Sequence, residues 1–443
     1  MLTEFSQGPV LWQTVAALVI FAAAYLAILI EKWDRTYTAL VGAVLMIALG
    51  IVPIQKALTG YANWPLVLYI ASLFILSALI GQTGVLAYAA SGMLRKFRLR
   101  PIAVLISVSL LAALVAACFD SLIAVALIVP FLLKTSKMMK ITPVPFLISV
   151  LISVHIGGAA TIMGNLPNRL IAGGGRMTPG QLVLQLAPLV LLLLAVLYLI
   201  MWGLYRNKLI VAETYKRELL RLTPSSYLNA DRNFVVIGTT VIALTLIALM
   251  LHRLLGMQPA FIAAIGAVLS LAANYKAVVQ TAVKKDYRAL WHTFRDMQVL
   301  YFLGLFIMAG GLTYSGIAGF FAYRGLEMSQ GSVSFLSTLV LWLTGFGSAM
   351  MDEVPYIAAM MPIVDSIREA LQASVQPIWL ALIIGSAIGG SATLISSVTN
   401  MYAASLSEQE GGGLTQRGYV AVALPVCLIL IVIATLYFRL FLV

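Results

Sequence analysis

Charge is what this 443-residue chain has least of: Asp, Glu, Lys and Arg make up 10% of it, against about 25% in an ordinary soluble domain. That scarcity excludes the soluble class. Cysteine is nearly absent too. Cys118 and Cys427 both sit in apolar stretches, which excludes a disulfide scaffold and a thiolate metal cluster. No G-x-x-x-x-G-K-[ST] loop is present, so the chain has no ATP-coupling site of that kind, and no H-E-x-x-H metal motif occurs. Gly and Pro follow no period, which removes collagen. Acidic residues number 16 against 28 Lys and Arg, a formal net charge of +12. The basic residues stand at the ends of apolar segments, so their partner is a lipid bilayer surface and not nucleic acid.

What the chain has in abundance is apolar length: 62% of it is hydrophobic and its mean hydropathy is +1.01. Runs of about 20 apolar residues recur from end to end, the pattern of a polytopic all-α membrane protein. The first, Val10 to Ile30, lacks a basic leader and a cleavage site and reads as a retained span. Spans are expected near 11–31, 37–53, 65–89, 141–172 and 180–204, then near 233–252, 258–275, 297–322, 376–406 and 416–440. Trp12, Trp64 and Trp291 mark segment ends as interfacial anchors.

Two apolar stretches, 101–134 and 333–365, have no polar loop in the middle. A return leg from Ser121 to Lys134 would rise only roughly 20 Å, short of a ~30 Å core, which predicts re-entrant hairpins. With the N-terminus outside, most of the 28 basic residues collect on inside loops, as the positive-inside rule requires. The polar stretch 206–232 reads as a cytoplasmic linker, dividing the chain into units 1–205 and 233–443.

These units resemble each other at an offset of 232 residues. Tyr69, Leu73, Phe74 and Ile75 recur as Tyr301, Leu305, Phe306 and Ile307; Gly84 recurs as Gly316. Asp120 and Pro130 recur as Asp352 and Pro362. Gly157, Gly158, Thr161 and Asn168 recur as Gly389, Gly390, Thr393 and Asn400. Abundant Leu and Ala match by chance; Asp, Pro, Thr and Asn holding one offset do not. Five spans per half is an odd number, so the second repeat is expected to insert upside down, as in secondary transporters with midplane sites.

Asp120, Asp352 and Glu353 lie deep within apolar stretches, where a charge costs about 2.5–3.5 kcal/mol on insertion scales. Such carboxyls are functional candidates, although one that stays protonated or caps a broken helix would also be tolerated. A buried carboxyl that chooses between a proton and a metal cation is a ready exchanger. Gly157-Gly158 and Gly389-Gly390 should break their helices within 141–172 and 376–406. Ser121, Thr161, Asn165, Asn168, Thr393, Ser397 and Asn400 would then offer oxygen ligands for an ion. Close packing of small residues explains the glycines equally well, but not the Thr and Asn. His155, beside the first glycine pair, suits either a proton relay or a simple interhelical hydrogen bond.

At these motifs the sequence resembles the ion transporter superfamily, and within it the ArsB/NhaD permease branch. The resemblance rests on Phe119-Asp120-Ser121 to Pro130, on Gly157-Gly158 through Asn168, on Met351-Asp352-Glu353-Val354-Pro355-Tyr356, and on Gly389-Gly390 through Asn400. It implies two inverted-topology repeats of five transmembrane helices, each with a re-entrant hairpin and a broken helix, working by elevator-type alternating access as a homodimer. It implies a Na⁺(Li⁺)/H⁺ antiporter with Asp120 and Asp352 as Na⁺ ligands, transported or coupling Na⁺ and H⁺ being the only ions needed and no cofactor or enzymatic step. The alternative within the same resemblance is a proton- or sodium-coupled permease for arsenite, silicic acid or a carboxylate. The usual Asp-Asn pair is replaced here by Asp120-Ser121 and Asp352-Glu353, which puts the transported species in question. Such proteins reside in the prokaryotic inner membrane or, for the magnetosome members, one derived from it.

Overall fold

A computed structural model describes residues 11–30, 33–62, 64–97, 100–175, 177–211, 228, 232–252, 255–273, 299–314, 331–350, 352–371, 375–411 and 413–442. Every regular element among them is a helix. The first half contains α1 (Leu11–Ile30), α2 (Arg35–Ala48), α3 (Trp64–Thr83), α4 (Val85–Lys96), α5 (Pro101–Cys118), α6 (Ser121–Met139), α7 (Val144–Ala159), α8 (Leu166–Gly175) and α9 (Pro179–Tyr205). The second contains α10 (Arg232–Met250), α11 (Pro259–Ala273), α12 (Val299–Tyr314), α13 (Val333–Met350), α14 (Glu353–Leu371), α15 (Gln376–Gly390), α16 (Val398–Gln409) and α17 (Gln416–Tyr437).

Six described helices are long and apolar enough to cross a membrane: Pro101–Cys118, Ser121–Met139, Gly180–Tyr205, Arg232–Leu249, Val333–Met350 and Gln416–Leu442. The protein is an integral membrane protein. Exposed Leu184, Leu191, Leu199 and Leu244 give these helices an apolar outer surface fit for lipid.

α7 and α15 form the centre. Nearly every residue of both is buried, they touch each other, and at 16 and 15 residues they rise about 24 and 22 Å, less than a ~30 Å core. Each packs along a partner helix, α7 on α5 and α15 on α13. Gly157 makes the first contact close, because a Cβ there would stand 2.6 Å from Ala113 Cα. Ser109 adds a hydrogen bond to Ser149 at 2.7 Å across the same seam. The halves also interlock at their edges: α2 packs against α12, and α11 against α3.

Two expected boundaries move. The return leg after Asp120 does not end at Lys134; α6 continues for 19 residues, about 28 Å. Lys134 and Lys137 belong to its final turns, where both reach Glu410 at the end of α16, and the helix stops only at Lys140 (φ 53°). Both legs of the pair are therefore long enough to span, and the length argument for a re-entrant turn fails. The expected span 65–89 is likewise interrupted, since Gly84 (φ 77°) separates α3 from α4. The linker 206–232, the end of span 297–322, Gly316, Trp291 and Met351 lie wholly or largely outside the described residues.

Candidate functional site

Both broken helices are present where glycine pairs occur. α7 ends at Ala159 and α8 begins at Leu166; α15 ends at Gly390 and α16 begins at Val398. The interruptions are held by hydrogen bonds that repeat at the 232-residue offset. Asn168 Nδ2 donates to Gly158 O (3.0 Å) and Thr161 O (2.8 Å), and Asn400 Nδ2 to Gly390 O (2.7 Å) and Thr393 O (2.8 Å). Thr161 and Thr393 hydroxyls donate to Ala117 O and Ala349 O, at 2.6 and 3.0 Å, the carbonyls left over where α5 and α13 end. The amide of Ser121 donates to Gly164 O (2.9 Å), that of Glu353 to Ser396 O (3.0 Å). These side chains satisfy backbone groups that a break inside the protein would otherwise orphan.

The two aspartates cap helices. Asp120 Oδ1 accepts from the amide of Leu122 at 2.8 Å, and Asp352 Oδ1 from Val354 at 3.0 Å. Both are buried, 5% and 3% exposed, so each carboxyl opens a helix inside the fold.

A cavity of about 230 Å³ lies between the capped turns and the breaks. Asp120, Ser121, Glu353 and Ser397, all expected from the sequence, line it together. Tyr69 of α3 and Gln258–Ala260, at the start of α11, close other sides. The halves meet here through Ser121 Oγ and Thr399 Oγ1, 3.1 Å apart. Thr161, Asn165, Asn168, Thr393 and Asn400 do not line the cavity; they brace the breaks behind it, as does His155, which meets Asn400 Oδ1 at 3.0 Å. Asp352 also stands outside the lining.

Charge in the cavity is not what the acids alone suggest. Arg169, on α8 directly after Asn168, places Nη2 2.8 Å from Asp120 Oδ2 and 3.0 Å from Met163 O. The side chain is 26% exposed and lines the cavity. Sequence reasoning passed over Arg169, Thr399 and Gln258. Arg169 was findable: it is a charge within an apolar stretch, the same criterion that singled out the acids. Its counterpart 232 residues on is Met401, so the cation belongs to one half only.

The second half differs in another way. Glu353 Oε1 accepts from Ser397 Oγ at 3.0 Å, and its carboxyl carbon would lie 3.0 Å from a Cβ on Gly390. In the first half the amide carbon of Asn165 lies 2.7 Å from a Cβ placed on Gly158. Long polar head and serine have exchanged places: Ser121 with Asn165 in one half, Glu353 with Ser397 in the other. The Glu353 carboxyl therefore fills the seat that an uncharged amide fills across the repeat. Among the described residues no group of three or more His, Cys, Asp and Glu is arranged to hold a metal ion.

An uncharacterized transporter of Mycobacterium bovis is 27% identical over 96% of this chain and 99% of its own. The magnetosome protein MamN of Magnetospirillum gryphiswaldense is 27% identical over 82% of this chain and 83% of its own. The P protein of Mus musculus is 23% identical over 98% of this chain and 61% of its own length. The solved YdaH transporter of Alcanivorax borkumensis aligns with a TM-score of 0.45 and 16% identity over 87% of this chain and 86% of that one. A family model described as citrate transporter, CitMHS, matches residues 25–385 and 286–443, between them nearly the whole sequence. This chain, with its paired helix breaks around a cavity that both halves line, belongs to the citrate transporter family.

Proposed function

We propose that the protein is a secondary active transporter for a small carboxylate anion of the citrate kind, coupled to H⁺ or Na⁺. The observation that carries this reading is Arg169. A guanidinium in a cavity within the membrane-spanning part is costly to place and offers a planar, paired set of donors matched to a carboxylate. Asp120 holds it at 2.8 Å. An incoming carboxylate takes over part of that guanidinium, and Ser121 and Thr399 hydroxyls add neutral donors from both halves.

The Na⁺(Li⁺)/H⁺ antiporter of the ArsB/NhaD resemblance is the second reading, favoured by the three buried acids Asp120, Asp352 and Glu353. It is the weaker one, because the Asp120 charge is already met by Arg169. In either case we take the halves as inverted-topology repeats of a homodimer in a prokaryotic cytoplasmic membrane, N-terminus outside, moving by elevator-type alternating access.

Reconstituted liposomes separate the readings. Labelled citrate and dicarboxylates should accumulate on imposing an inward proton or sodium gradient. Cation-driven proton release on adding Na⁺ or Li⁺, with no response to any carboxylate, would reject the carboxylate reading.

A further inference from the structure

Behind the cavity lies a buried chain of polar groups that substrate binding leaves unused. The Asn400 amide spends both hydrogens on the carbonyls of Gly390 and Thr393, so its Oδ1 is the atom turned toward His155 Nε2. An amide oxygen only accepts, and Nε2 must therefore carry the ring hydrogen. That leaves Nδ1 facing Glu353 Oε2 at 3.7 Å. Neither atom has another hydrogen-bond partner among the described residues, and the side chains are 0% and 5% exposed.

A neutral imidazole presents a lone pair at Nδ1, and an ionised carboxyl presents lone pairs at Oε2. Two acceptors face each other, an arrangement a buried site does not hold without cost. One proton between them resolves it, as a carboxylic acid donating to imidazole or an imidazolium donating to carboxylate. A second proton would leave a buried imidazolium beside a neutral acid, a charge with no counter-ion at that contact. The arrangement thus counts to one. We propose that His155 and Glu353 form a one-proton site that loads and unloads once per transport cycle.

The first half supplies a control. The counterpart of His155 is Ala387, and the Asn168 Oδ1 that would match Asn400 Oδ1 has no hydrogen-bond partner among the described residues. The seat of Glu353 matches that of the Asn165 amide, a neutral head with a donor and an acceptor, which a protonated carboxyl reproduces and a carboxylate does not. The charged groups acting on Glu353 are Asp352, its chain neighbour, and Asp120, with Arg169 on Asp120. Of the helices packed against α7 and α14, α5, α9, α12, α13 and α15 carry no charged residue. Lys134 and Lys137 of α6, Glu408 of α16 and Arg417 of α17 sit toward helix ends, and the other titratable groups there include Tyr198 and Cys427. Because Glu353 also lines the cavity, the proton sits one side chain away from the substrate.

This assignment rests on the transport reading, and two measurements keep the failures apart. In liposomes holding the wild-type protein, one proton per citrate makes the accumulation ratio change about tenfold per unit of imposed pH gradient at fixed membrane potential. Glu353→Gln should make that ratio independent of the gradient, and His155→Gln should do the same. A wild-type slope in both variants overturns the proposal. The second measurement needs no substrate: an infrared titration of the reconstituted protein, with His labelled isotopically. It should show one shared proton leaving a carboxyl–imidazole pair, with the signal lost in Glu353→Gln. Absence of that signal in the wild type overturns the proposal even where the variants fail to fold. A positive titration without citrate transport would fault the substrate reading alone.

Discussion

Replacing Arg169 by Met copies onto the first half what Met401 already provides in the second, and its cost can be worked from the ion pair. The pair with Asp120 is short, 2.8 Å, and its side chains are 26% and 7% exposed. Removing one partner of a buried pair costs about 3–5 kcal/mol, because the remaining charge is left uncompensated. The quarter exposure of Arg169 argues for the lower end, about 3 kcal/mol, with the Met163 carbonyl losing a donor as well. Thermal unfolding of purified Arg169→Met should show that loss, and Asp120→Asn/Arg169→Met should recover most of it, since no unpaired charge remains. Citrate affinity should behave differently. A charge-assisted hydrogen bond contributes about 1.5–3 kcal/mol, so binding should weaken roughly 10- to 150-fold in the single variant and stay weak in the double. Titration calorimetry on the detergent-solubilised protein reads the affinity directly. Wild-type affinity in Arg169→Met, or recovery of binding in the double variant, would refute a role for Arg169 in holding the substrate.

Other expectations follow from close packing and surface charge. Gly157→Ala should cost about 1–3 kcal/mol, because the new Cβ meets the backbone of Ala113; Gly389→Ala, 2.9 Å from Ser348 Cβ, should resemble it. Gly92→Ala on α4 meets nothing within 4 Å and should be neutral or stabilising by up to about 1 kcal/mol, so equal effects at the three sites in a thermal-shift assay would argue against the packing account. Glu410 is held below the ordinary carboxylate range, first by its hydrogen bond from Lys137 and then by Lys134. Its contribution should be present above the unfolded carboxylate pKa and fade as pH falls through the lowered folded value. Because both partners are over a third exposed, Lys137→Met should shift unfolding by only about 0.2–1 kcal/mol at neutral pH, the difference vanishing in acid and in high salt.

Local pattern accounts for the features that were legible in advance. Gly157-Gly158 and Gly389-Gly390 announce breaks because glycine and the following Asn and Pro weaken a helix wherever they stand. Asp120 and Asp352 stand out because a carboxylate is expensive at that depth. Arg169 went unread for a physical reason: basic residues were weighed as markers of the cytoplasmic surface, and only its pairing with a carboxylate lets one remain inside. Lys134 was misread for the converse reason. A lysine can belong to the last turns of a helix while its ammonium reaches a partner, here Glu410, so charge did not mark the helix end.

From the sequence alone came the membrane class, the 232-residue repeat, the helix breaks and the depth of three acids, because hydropathy and backbone preference act over short stretches of chain. The repeat also offered two candidate sites that differ at Ser121 and Glu353, and the chain did not show which polar groups meet in either. Packing decided that. It brought Asp120 to Arg169, 49 residues away, His155 to Asn400 across 245, and Ser121 to Thr399 across 278. It sat a carboxyl in one half where the other has an amide. Which polar groups meet depends on how helices from distant segments dock, and only that docking turned two similar halves into one cavity with a cation on one side and a proton site on the other.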